Sequence, residues 1–121
     1  MAQTIDELMT VEKQASVQVL RFHHAELFDT IEVELIATQF EELAAEGENP
    51  RLVLDLELVE HVSSVMLSAL IEVRSQVLER GGRIALASIQ PRLRDLLDLV
   101  RIHDLFENYA SVESAVVAML D

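Results

Sequence analysis

The chain has 121 residues, half of them apolar, and no cysteine. That length and apolar fraction suit one self-supporting domain over residues 1–121, and the missing cysteine excludes disulfides, thiolate catalysis and cysteine-ligated zinc. The formal charge of -13, from 22 acidic against 9 basic residues, argues against nucleic acid and anionic membrane surfaces, which are gripped through Lys and Arg, and favours a partner with a basic patch.

Met1 to Met9 holds Asp6 and Glu7 and no basic residue, unlike a secretory signal. The longest apolar runs are about six residues, against the roughly 20 that cross a bilayer, so a cytoplasmic protein without membrane insertion is expected. Met9 to Phe22 reads as two short strands in a hairpin, broken at Gln14-Ala15-Ser16. A helix is expected over Thr30 to Ala45, with Ile31, Leu35, Ile36, Phe40 and Leu43 as its apolar positions and Asp29 or Thr30 as its cap. Glu41, Glu42 and Glu46 read as a solvated face. Gly47-Glu48-Asn49-Pro50 then turns the chain.

Leu52 to Leu56 is nearly continuous aliphatic, as an interior strand covered on both faces should be. Ser64 to Arg80 is the strongest helix, with Val65, Leu67, Ala69, Leu70, Ile71, Val73 and Val77 as a wide apolar face and Gly81-Gly82 as its stop. Arg83 to Ser88 is a strand. Pro91 opens a helix whose Leu93, Leu96, Leu97 and Val100 are core positions, and Leu105 to Tyr109 is a short extended segment. Ser111 caps a last helix carrying Val112, Ala115, Val116 and Leu120. The order β-β-α-β-α-β-α-β-α makes the fold α/β, a mixed sheet packed by about four helices.

The chemically interesting point is the junction Val62-Ser63-Ser64-Val65-Met66, where a strand-to-loop segment turns into the best helix. A helix N-terminus exposes unpaired N–H groups and partial positive charge, so a hydroxyl there can cap the helix, and a phosphoryl group there is stabilised by the same donors. Ser63 is the expected N-cap and Ser64 the first helical residue. Enzymatic readings find little support. His61 lies near Ser64, but no nucleophile elbow surrounds the serine and no third triad member is identifiable. His23, His24, His61 and His103 show no metal-ligand spacing. Gly81-Gly82 follows a helix instead of opening one, so it is no phosphate loop.

Several segments carry a family resemblance. Arg51 to Val59, Ser63-Ser64, and Leu78-Glu79-Arg80-Gly81-Gly82-Arg83-Ile84-Ala85-Leu86 are similar to a STAS domain of the bacterial anti-sigma factor antagonist type. So are Pro91 to Leu97, Ile102-His103-Asp104-Leu105-Phe106, Tyr109 and Ser111 to Ala115. The resemblance implies a small α/β domain, and a non-enzymatic protein-interaction module without cofactor or metal is expected. It implies binding of an anti-sigma factor or serine kinase, and sigma factor regulation through a phosphorylated serine. The family's Asp-Ser-Ser/Thr-Gly-Leu segment falls on Ser63-Ser64-Val65-Met66-Leu67, which puts the phospho-acceptor at Ser64 and the partner surface at Val62, Ser63, Ser64, Val65 and Met66. Ser63 replaces the aspartate, and Val65 and Met66 replace the small hydroxyl residue and the glycine. A Gly-Glu-Leu-Asp-like turn is partly matched by Ala25-Glu26-Leu27-Phe28-Asp29. Two alternatives follow. One is a STAS scaffold without phosphorylation, in a signalling assembly or beside a transporter. The other is a domain binding a small ligand, a nucleotide or lipid, at the helix N-terminus.

Overall fold

In the computed structural model, residues 5–120 are described. Met1 to Thr4, the start of the stretch read as lacking a secretory signal, lie outside the described residues. A short helix α1 (Ile5–Leu8) leads into β1 (Met9–Gln14) and β2 (Val17–Phe22), followed by the two-residue strand β3 (Glu26–Leu27) and helix α2 (Thr30–Ala44). Then come β4 (Arg51–Asp55), β5 (His61–Val62), α3 (Ser64–Glu79), β6 (Arg83–Ala87) and α4 (Pro91–Leu99). A 3-10 turn (His103–Leu105), β7 (Glu107–Tyr109) and α5 (Val112–Ala118) complete the chain.

Five strands form one sheet in the order β1-β2-β4-β6-β7. β1 and β2 make the expected hairpin, antiparallel with Gln14 opposite Val17. Its tight turn sets Ala15 at φ 56°, a left-handed conformation in a residue with a Cβ. The remaining pairs are parallel, so α2, α3, α4 and α5 each begin near the carboxyl ends of the strands.

Side-chain alternation splits the core into two layers. Leu20, Phe22, Leu52, Leu54, Ile84 and Leu86 face the layer that holds α2, α3 and α4, with Phe40, Val73 and Leu97 among the helix contributions. Val17, Val19, Val53, Ala85 and Ala87 face α5 through Ala115, Val116 and Met119. The small alanines on β6 let a short helix lie close to the sheet. Arg51 and Arg83 are register partners at the starts of β4 and β6, and they donate to the last carbonyls of α5, Met119 O and Ala118 O respectively. Two cations thus sit at the negative end of the helix dipole.

Gly81 and Gly82 end α3 as expected. Gly82 N donates to Val77 O and Gly81 adopts φ 74°, the left-handed stop that glycine tolerates. A Cβ on Gly82 would stand 2.1 Å from Pro50 O, so the glycine also allows the chain to pass against the Asn49-Pro50 turn.

The structure corrects some core assignments. Ile31, Leu35, Val65, Ile71, Val100 and Leu120 are exposed. Val33 and Met119 hold core positions that the periodicity left out. Apolar residues that a helix carries off its core face end in solvent: Ile31 lies on the far side of α2 from Phe40. The pairing of β3 with β5 into a second, two-stranded sheet falls in segments too short to show a pattern. Leu105, expected to be extended, belongs to the 3-10 turn before β7.

Candidate functional site

The β3–β5 pair builds the site. Glu26 lies opposite His61 and Leu27 opposite Val62 in parallel register, and Ser63 N donates to Leu27 O at 3.1 Å. These bonds bring the starts of α2 and α3 to one end of the molecule. Asp29 caps α2, accepting from Glu32 N at 3.1 Å. Ser63, in extended backbone at φ -81° and ψ 168°, caps α3 and accepts from Met66 N at 3.2 Å.

That division of labour is decisive for the serine pair. Ser63 supplies the cap, and its carbonyl accepts the first helical bond, from Leu67 N. Ser64 is the first residue of α3 and is exposed. Its hydroxyl is not consumed by the cap. The N–H groups of Ser64 and Val65 belong to the first turn, where an α-helix leaves donors without intrahelical partners.

The other residues of the junction divide into two groups. Val65 is 42% exposed, whereas Met66 is fully buried and Val62 nearly so. Met66 joins the main core with Leu27, Val59 and Leu70. The bulk that replaces the family glycine therefore points inward, and Met66 offers no side chain to a partner. Met66 and Val62, expected among the contact residues, support the tip from beneath. Two apolar residues near the start of α2 that the periodicity did not mark as surface residues are open. Phe28 is 49% exposed and Ile31 is 66% exposed. Ile31 was separable in the sequence: nine residues from Phe40 at about 100° each puts the two on opposite sides of a helix.

His61 is engaged with other neighbours. Its Nε2 lies 3.3 Å from Arg92 Nη1, and its ring packs at 6.2 Å from that of Phe28. Among the described residues no cluster of three or more His, Asp or Glu side chains is placed to hold a metal ion. No described helix is long and apolar enough to cross a membrane. A groove of about 650 Å³ lies away from the junction, lined by Gln14, Arg21, Asp55, Ser88 and Glu113 among others and by none of residues 62–66. Arg21 in that groove is already bonded to Asp55 at 3.1 Å and Glu12 at 2.7 Å.

No curated protein matches the sequence. An anti-sigma-factor antagonist (STAS) domain protein from Planctomyces limnophilus is 29% identical with a TM-score of 0.84, the match covering 93% of this chain and 98% of that one. An anti-sigma factor antagonist from Mycobacterium paratuberculosis is 24% identical with a TM-score of 0.79, covering 93% of each chain. The Bacillus cell fate determinant SpoIIAA, solved in its phosphorylated form, is 17% identical with a TM-score of 0.69, covering 91% of this chain and 97% of that one, and shows a shared fold. The STAS domain profile matches residues 9–115, from the first strand of the sheet into α5, and the chain belongs to the STAS domain family.

Proposed function

We propose that this chain is a non-enzymatic interaction module of bacterial signalling, acting in the cytoplasm as an anti-sigma factor antagonist. It binds an anti-sigma factor or serine kinase through the surface of Ser63, Ser64 and Val65, and phosphorylation of Ser64 releases that partner. The observation that carries this reading is the exposed Ser64 hydroxyl at the first position of α3, with Ser63 already acting as the cap.

The physics follows from charge and solvation. A phosphoryl group adds about −1.5 to −2 charge at pH 7. At the tip of α3 the first-turn N–H groups and the dipole tolerate it, so the domain stays folded. A partner seated on Val65 and its apolar neighbours would have to desolvate that charge, at a cost of several kcal/mol on general grounds. Affinity of the cognate kinase for Ser64→Asp and Ser64→Ala chains tests the proposal. Weaker binding of Ser64→Asp is expected, and equal affinities refute it.

A second reading, a STAS scaffold with phosphorylation lost, is favoured by Ser63 where the family has a carboxylate and by Met66 where it has glycine. Incubation with the kinase and ATP separates the two, because a scaffold takes up no phosphate at Ser64.

A further inference from the structure

We infer that the outer face of α2 is a second recognition element, docking a partner segment that presents an apolar helix face flanked by Lys or Arg. The inference rests on the reading of the chain as a partner-binding module, but not on modification of Ser64.

Helix α2 is doubly amphipathic. Its buried side is Val33, Ile36, Phe40, Leu43 and Ala44. At about 100° per residue, Ile31 and Leu35 stand on the opposite side, and both are exposed. Phe28, just ahead of the cap, is also exposed. The spacing of four residues aligns Ile31 and Leu35 on one side of the helix. A helix needs one apolar face to pack; the second has no use within this fold, and contiguous exposed apolar residues mark interaction surfaces.

Charge selects the occupant. The segment Thr30–Ala44 carries Glu32, Glu34, Glu41 and Glu42 and no Lys or Arg. Glu34 and Glu42 are exposed and border or continue the stripe. The few cations of the chain are largely committed elsewhere: Arg51, Arg74 and Arg80 donate to backbone carbonyls, and Arg21 and Arg83 to carboxylates of their own fold. A second copy of the chain would set this acidic ridge against itself and bring two net charges of -13 together. A basic amphipathic segment meets apolar with apolar and acid with base. The Ser63–Leu27 bond ties the start of α3 to the strand that leads into α2, so one partner can span both.

The test is a titration of the full isotope-labelled chain, followed by NMR, with a short amphipathic helical peptide of Leu and Lys and with the same peptide carrying Glu for Lys. The Lys peptide should shift signals of residues 28–35, with affinity falling as salt is raised. An Ile31→Ser/Leu35→Ser chain should bind about tenfold or more weakly, while Leu99→Ser, at another exposed apolar position, should bind as the parent does. Binding by the Ser64→Asp chain should persist, which separates failure of this inference from failure of the switch. Shifts centred elsewhere, equal binding of the Glu peptide, an equal loss in Leu99→Ser, loss of binding in Ser64→Asp, or no binding at all would overturn it. So would changes at residues 28–35 on dilution of the chain alone, which would identify a second copy as the occupant.

Discussion

Substitution of Ser63 by alanine isolates the cap from the switch. Ser63 makes three bonds: its N–H donates to Leu27 O, its carbonyl accepts from Leu67 N, and its hydroxyl accepts from Met66 N at 3.2 Å. Alanine preserves the two backbone bonds and removes the third. The Met66 N–H then loses its acceptor in a half-buried setting, a loss of about 1 kcal/mol within a range of 0.5–2. Because α3 packs on α2 and supplies Met66, Leu70, Val73 and Val77 to the core, the loss registers in global unfolding. For a domain of this size it lowers Tm by about 3–5 °C. Ser64→Ala removes an exposed hydroxyl and should fall within about 0.5 kcal/mol of the parent. Ser63→Asp retains a capping oxygen and should restore the parent value. Urea unfolding followed by circular dichroism measures all three, with an unchanged slope confirming a two-state comparison. If Ser64→Ala costs as much as Ser63→Ala, the Ser64 hydroxyl also holds the start of α3 and is no longer free for modification.

Other perturbations test the frame around the tip. Met66→Ala should cost about 2–5 kcal/mol by opening a cavity in the core, whereas Val65→Ala, on the exposed side of the same turn, should be close to neutral in the same unfolding assay. Gly82→Ala would drive a Cβ to 2.1 Å from Pro50 O and should destabilise by about 1–3 kcal/mol, lowering the urea midpoint. Glu107 is held below the usual carboxylate range, chiefly by its hydrogen bond from Arg83 and further by that from Tyr109, against an opposing effect of burial. A depressed carboxylate stabilises the fold above its unfolded value, and that contribution disappears as pH falls through the folded one. Glu107→Gln should therefore flatten the acid side of a stability–pH profile below about pH 4.5, the ordinary value; an unchanged acid limb would show that the Arg83–Glu107 pair adds nothing.

Much of the architecture was readable because periodicity and punctuation agreed. Leu52 to Leu56 is aliphatic on both faces because β4 lies at the centre of the sheet between two layers. Gly81-Gly82 stops α3 and Ser111 caps α5, each by short-range chemistry that needs no distant partner. The cap at Ser63 was legible for the same reason. The strands β3 and β5 were not, since a two-residue ladder exists only because the two segments meet in space. The surface stripe on α2 was masked by composition: Ile31 and Leu35 are as apolar as Ile36 and Phe40, and only their angle around the helix separates them. Met66 shows the converse. It takes the place of a glycine in a surface motif, yet its position three residues after the cap turns it into the core.

Site-resolved mass spectrometry after incubation with the cognate serine kinase and ATP tests the central claim most directly. The account predicts a single phosphoryl group on Ser64, none on Ser63, and no uptake by the Ser64→Ala chain. Phosphate on Ser63 or another residue, or none on a folded chain that binds its kinase, would contradict it.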